Sequence, residues 1–213
     1  MFDVFLTSFA TLFVVIDAPG LVPLFVALTA GVPDVRRRAI AIRGVAVATG
    51  VLLVFGLFGE TVLELIGVGL PAFRISGGLM LFFIAIEMLF EKRDQRRAKT
   101  AQGEIEQSDP GHDPSVFPIG IPLIAGPGAL ASMILLIGQH SGDVPAQIAV
   151  YVALLLVLAL CLVTFLAGSW VERMLGQSGI NVVTRLLGVL LGALAVQFVL
   201  DGLKAYGVFP GLS

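Results

Sequence analysis

The sequence predicts an all-α membrane protein of six transmembrane helices, arranged as two inverted three-helix repeats, with helices one and four broken at mid-membrane. Three observations carry this. Of the 213 residues, 57% are hydrophobic and 13% charged, with mean hydropathy +1.00, far outside the range of soluble domains. Six apolar runs reach the roughly 20 residues needed to cross a bilayer core: residues 4–30, 39–58, 72–90, 116–138, 146–168 and 182–203. Two near-copies, Asp17-Ala18-Pro19-Gly20 and Ala125-Gly126-Pro127-Gly128, fall in the middle of the first and fourth runs. Proline removes a backbone donor and clashes with the preceding turn, and glycine weakens a helix further.

Span one has no basic residue before it and no small-residue cleavage site after it. It is also long for a signal-peptide core, so it is expected to stay as a helix. Arg36, Arg37, Arg38 and Arg43 follow it and lead into span two. Span three opens near Arg74 and carries Gly77-Gly78, small residues that permit close helix approach. The stretch 91–115 mixes both charge signs with Gln102, Gly103, Ser108, Pro110, Gly111 and Pro114 and shows no apolar helical stripe. It reads as a flexible cytoplasmic linker. Span four carries the second break, and His140 lies in the short turn after it. Span five contains the lone Cys161, read as packing. Span six begins near Arg185, with Gly188 and Gly192 four apart. Neither His112, in the linker, nor His140 has a second ligand at metal spacing, so no metal site is expected.

The basic residues sort by loop. Lys92, Arg93, Arg96, Arg97 and Lys99 follow span three, and Arg173 and Arg185 flank the connection between spans five and six, while the remaining connections and both ends hold only Arg74 and Lys204. The positive-inside rule therefore makes the first, third and fifth loops cytoplasmic and both termini extracytoplasmic. The partners implied are the lipid bilayer and a small solute, not nucleic acid, since the Arg36–Arg38 run is too short for that. The oligomeric state is left open.

Internal similarity extends past the breaks. Pro19-Gly20 precedes Pro127-Gly128 by 108 positions; Gly59-Glu60-Thr61-Val62 precedes Gly168-Ser169-Trp170-Val171 by 109; Ile84-Ala85-Ile86-Glu87 precedes Leu194-Ala195-Val196-Gln197 by 110. The slow drift fits two homologous units in one membrane domain, 1–213: repeat one over 1–90, a linker over 91–115 and repeat two over 116–213. Three spans per unit reverse the orientation of the second. Paired breaks in corresponding halves point to a transporter binding site between the units.

The candidate site residues follow from that. Asp17 is an ionisable group at mid-helix, costly in lipid and retained for function or pairing. It is the candidate for coupling to H⁺ or Na⁺ and for holding a substrate ammonium; the plain alternative is an N-cap for the helix that follows. Pro19-Gly20 and Gly126-Pro127-Gly128 would start half-helices whose free amides favour a carboxylate. Ser132, one turn on, and Gln197, deep in span six, are further candidates; each has a structural alternative, backbone bonding for Ser132 and interhelical bonding for Gln197. Glu87 reads as a carboxylate reaching the basic linker.

Asp17-Ala18-Pro19-Gly20-Leu21-Val22-Pro23-Leu24-Phe25, Phe73-Arg74-Ile75-Ser76-Gly77-Gly78 and Ile121-Pro122-Leu123-Ile124-Ala125-Gly126-Pro127-Gly128-Ala129 resemble the signature segments of the MarC family of bacterial integral inner-membrane proteins. Many members have Pro where this chain has Ala18. The resemblance spans nearly the whole chain and implies location in a bacterial inner membrane and, from related proteins, transport of glycine, alanine and similar small neutral amino acids.

The reading is thus a secondary transporter of small neutral amino acids working by alternating access, ion-coupled, without an organic cofactor and not an enzyme. The apolar residues Leu21, Val22, Ala129 and Leu130 beside the breaks argue for alanine-like side chains and against lysine or glutamate. Rival readings are a channel, a non-transporting membrane scaffold or stress protein, and an exporter of other small solutes. An intramembrane enzyme would need a nucleophile–base pair or a carboxylate dyad, and the sequence offers neither.

Overall fold

In a bilayer every backbone amide and carbonyl must be satisfied within protein, so long apolar runs fold as helices. The computed structural model describes residues 1–107 and 113–207, and among these the chain is helix and short turns with no strand. Span one comprises α1 (Phe2–Ile16) and α2 (Ala18–Leu28), span two is α3 (Asp34–Leu65) and span three is α4 (Leu70–Leu89). After α5 (Lys92–Gln107), span four is a wide, π-type coil over Ser115–Ile124 followed by α6 (Pro127–Gly138). Span five is α7 (Val144–Leu166), and span six lies in α8 (Gly168–Ala205), which is interrupted at Gly176 with φ 62°. Among the described residues, five helical stretches are long and apolar enough to cross a membrane, and the bent pair in span four, taken as one span, makes a sixth.

Both expected breaks are present. Span one is interrupted at Asp17, whose φ 56° and ψ 57° are left-handed, a conformation that aspartate tolerates better than most residues. Pro19 then sits in the first turn of α2 and Pro127 begins α6, where a missing N–H costs no helical bond. Span four bends by 57° at its break.

Two expectations are corrected. The stretch 91–115 is not a flexible linker throughout, because 92–107 forms α5. Its Lys, Arg, Gln, Ala and Glu are strong helix formers, and among its described side chains the buried ones are Arg93 and Arg97, four apart. His112 and residues 108–111 lie outside the described residues. The first half of span four is likewise no regular helix. Pro118 and Pro122 sit inside it, and the residue before each is extended, Phe117 at φ −130°, ψ 126° and Ile121 at φ −133°, ψ 128°. A proline pushes its predecessor out of the helical region.

Helix α4 packs along α8, α1 against α7 and α6, and α3 against the wide coil, α6 and α7. The glycines between α4 and α8 set that contact. A Cβ on Gly78 would stand 2.8 Å from the Ala195 carbonyl oxygen, and one on Gly188 2.9 Å from the Met88 Cβ. Such close backbone approach is how small residues drive helix association in lipid. The buried centre includes Leu12, Ile16, Phe25, Leu52, Leu81, Met133 and Leu135, with the Phe25 and Phe165 rings stacked at 4.5 Å. Large apolar side chains such as Phe58, Phe83, Leu186 and Val189 face outward, as a lipid-facing surface requires.

Candidate functional site

The two breaks are near-copies in sequence and unequal in structure. Ending a helix leaves carbonyls without partners, and starting one leaves amides without them. At the first break α5 supplies the cations that a helix C-terminus favours. Arg93 donates to the Val15 carbonyl and approaches the Met88 sulfur at 2.9 Å; Arg97 donates to the Ile16 carbonyl at 3.3 Å. Asp17 supplies the other half. Its Oδ1 accepts the Gly20 amide at 3.3 Å, capping α2, and the Thr184 hydroxyl of α8 at 3.4 Å. Its Oδ2 pairs with Arg97 at 3.3 Å. Asp17 is 0% exposed, Arg93 5% and Arg97 8%. Only glycine fits at position 20, since a Cβ there would overlap the Asp17 carboxylate. This break is closed on itself.

The second break is open. Ala125 stands where the first copy has Asp17 and has no oxygen to offer. Gly126 is the N-cap of α6 without a side-chain cap, and Pro127 brings no N–H. The helix therefore begins with the amides of Gly128 and Ala129, and both residues line a cavity of about 240 Å³. Its wall also includes Val15, Ile84, Pro122, Leu123, Ile124, Gly126 and Pro127, and it carries Arg93, Arg96 and Arg97. Arg96 stands toward the outside, its side chain 60% exposed and bonded to Glu87 at 3.0 Å. Among the described residues no carboxylate lines this wall. The start of α6 and three arginines thus border one small space, a setting that favours a carboxylate or another oxyanion.

The other candidates are placed as follows. Asp17 lies beside Arg97 and not on the cavity wall; Pro19 is in the first turn of α2. Gly20 borders a separate cleft of about 310 Å³ with Gln95, Gln177 and Asn181. Ser132 is fully buried, and its hydroxyl has no hydrogen-bond partner among the described residues, but it is not on the cavity wall. Gln197 faces outward from α8 and bonds Asp201 at 2.8 Å, so the structure does not bring it to the site. No group of His, Cys, Asp and Glu among the described residues could hold a metal ion.

Outside the spans, Asp113 anchors the entrance to the wide coil. It accepts the Ser115 amide at 3.0 Å and pairs with Arg43 of α3 at 2.8 Å. Partial burial pushes its carboxyl up, but the Ser115 and Arg43 hydrogen bonds and the Arg43 charge outweigh that and hold it below its ordinary value of 3.8.

Reading the sequence missed Arg93, Arg96 and Arg97 as site residues, treating them as orientation signals. A carboxylate buried at mid-span needs a counter-charge, and the four-residue spacing of Arg93 and Arg97 was the available sign of where it came from.

Comparison with known proteins shows the family. Residues 2–206 match the model of the family described as MarC family integral membrane protein. The chain is 34% identical to the UPF0056 membrane protein YhcE of Escherichia coli over 214 residues, covering 99% of this chain and 96% of that one. It is 34% identical to the UPF0056 membrane protein YvbG of Bacillus subtilis over 213 residues, 100% and 99% of the two chains. It is also 34% identical to the UPF0056 inner membrane protein YhgN of E. coli over 195 residues, 92% and 93%. No solved structure matches the chain. With all of its apolar spans inside the matched region, this chain is a multi-pass integral membrane protein and belongs to the MarC family.

Proposed function

We propose that this protein is a secondary transporter of small carboxylate-bearing solutes, foremost neutral amino acids such as glycine and alanine, working by alternating access. The observation that carries the reading is the uncapped start of α6 opening on the arginine-lined cavity. The substrate carboxylate is received by the Gly128 and Ala129 amides and by Arg93, Arg96 and Arg97. With Asp17 engaged by Arg97 and off the wall, a substrate ammonium would be met by backbone carbonyls of the 122–124 stretch that lines the cavity. The sequence argument against glutamate rested on apolar surroundings, and three guanidiniums on the wall remove its basis. The argument against lysine becomes stronger.

The packing supports two related halves. Span one packs on span five and span two on span four, while spans three and six pack on each other. Exchanging first-repeat spans for their second-repeat counterparts returns the same pairs, as a two-fold axis between repeats requires. The clustering of basic residues on α5 and in the first turns of α3 favours the cytoplasmic side for the loops that carry them; on this reading the cavity faces inward past Arg96 and both termini lie outside.

Counterflow in proteoliposomes tests the reading. Vesicles loaded with unlabelled alanine are expected to accumulate labelled alanine or glycine transiently, and not labelled lysine. Absence of exchange with every small amino acid and carboxylate tried would overturn it.

A further inference from the structure

The Arg97 guanidinium belongs to both breaks. It bonds the first, through the Asp17 carboxylate and the Ile16 carbonyl, and it lines the cavity at the second. Resting on the transporter reading above, we propose that Arg97 occupies a sodium site built from Asp17, Ile16 and Thr184, and that a substrate carboxylate frees this site by drawing Arg97 into the cavity. The Asp17 carboxylate, the carbonyl at the C-terminal end of α1 and the Thr184 hydroxyl, 3.4 Å from Asp17 Oδ1, form a set of oxygens of the kind hard cations take. Carbonyls at the end of a broken half-helix serve this purpose in other transporters. At present the Arg97 guanidinium bridges two of these oxygens, Asp17 Oδ2 and the Ile16 carbonyl, while Thr184 bonds Asp17 Oδ1.

Charge enforces the exchange. Asp17 is 0% exposed and Thr184 1%, so Arg97 leaving without replacement would strand a buried carboxylate. The charged and titratable groups facing Asp17 are Arg93 and Arg97 from α5 and Cys161 from α7, with the Thr184 hydroxyl from α8. Arg93 is held on the Val15 carbonyl, one residue away from the Ile16 carbonyl that Arg97 vacates. A sodium ion entering with each solute restores the balance, and by linkage the solute must raise sodium affinity as much as sodium raises the solute's.

Binding of L-alanine and of propionate to the purified protein in nanodiscs, with sodium raised against choline at constant ionic strength, tests this. Sodium is expected to tighten binding by about 5- to 150-fold, the usual range for coupled sites. Arg97→Gln is expected to bind radioactive sodium without any solute. Binding equally tight in choline overturns the exchange while leaving the cavity as a solute site. Proton uptake replacing the sodium dependence, read from heats in buffers of different ionisation enthalpy, overturns the sodium assignment. If neither probe binds at any sodium concentration, the cavity reading falls and this proposal falls with it. The wild-type titration decides the matter even if the variant fails to fold.

Discussion

A double-mutant cycle on Asp17 and Arg97 reads the energetics of the closed break directly. Asp17→Asn keeps the shape and the capping oxygen for the Gly20 amide but leaves Arg97 facing a neutral amide. Removing one partner of a buried ion pair costs about 3–5 kcal/mol. Arg97 keeps its bond to the Ile16 carbonyl and touches the cavity, so this variant belongs at the low end, about 3 kcal/mol. Arg97→Gln strands a carboxylate with 0% exposure that retains only the Gly20 amide, the Thr184 hydroxyl and the more distant Arg93, and about 4 kcal/mol is expected. The double variant buries neither charge and should fall within about 2 kcal/mol of the parent, because neutral replacement of a buried pair is often tolerated. Asp17→Ala also loses the cap and should exceed Asp17→Asn by about 1 kcal/mol. The assay is unfolding in mixed micelles titrated with dodecyl sulfate and followed by far-ultraviolet circular dichroism in sodium-free buffer. Single variants within about 1 kcal/mol of the parent, the range of an exposed pair, would refute the reasoning. So would a double variant whose cost is the sum of the singles.

Three further outcomes follow from particular contacts. Gly20→Ala should destabilise the parent by at least about 1 kcal/mol through loss of the Asp17 cap, yet be neutral or stabilising in the Asp17→Ala background, where the three atoms nearest the new Cβ are gone and alanine is the better helix former; equal costs in both backgrounds would contradict the overlap. The depressed carboxyl of Asp113 contributes stability that is fully present above about pH 4, its unfolded value, and lost as pH falls through the lower folded value. Asp113→Asn should therefore lower the melting temperature at pH 7, with the gap to the parent narrowing as pH falls below about 4, and a gap that widened in acid would reverse that sign. In a background lacking Cys161, a cysteine at position 142 should react with an impermeant thiol reagent from outside intact cells and one at position 37 should not; the opposite pattern would invert the orientation.

How much was legible varied with the range of the interaction. The six spans and both breaks rest on local properties, apolar length and the backbone demands of Pro-Gly, and these are written along the chain. The wide coil before α6 was also locally marked. Pro118 and Pro122 lie four apart, and each removes a donor and extends its predecessor, a pattern incompatible with a regular turn. Treating 116–138 as one helix with a single kink overlooked it. The arginines were of another kind. Arg97 pairs with a residue 80 positions earlier, and nothing in a basic, apolar-poor stretch shows that it folds back between spans. What could be read was the need: a carboxylate at mid-depth demands a counter-charge, and histidines in loops could not supply it. Gln197 shows the converse, since polarity deep in a span suggested the interior while its amide is satisfied by Asp201 one turn away.

One substitution accounts for the difference between the two breaks. A helix that starts at mid-depth has amides to satisfy and can do so with its own side chain or with a ligand, but not with both at once. In the first copy Asp17 turns back onto Gly20 and draws in Arg97, so the Gly20 amide, the carboxylate and the Val15 and Ile16 carbonyls are satisfied within the protein. In the second copy Ala125 has no such oxygen, Pro127 no N–H, and the cations attracted by Asp17 remain beside a helix start they cannot satisfy, since guanidiniums only donate. The start of α6 thus has no side-chain acceptor of its own, and a solute oxyanion would supply one. On this argument an aspartate at position 125 should close the second break as Asp17 closes the first. Ala125→Asp is expected to leave the protein folded, to place its carboxylate at the start of α6, and to abolish alanine binding. A variant that folds and binds alanine as tightly as the parent would show that the solute does not use the amides of α6.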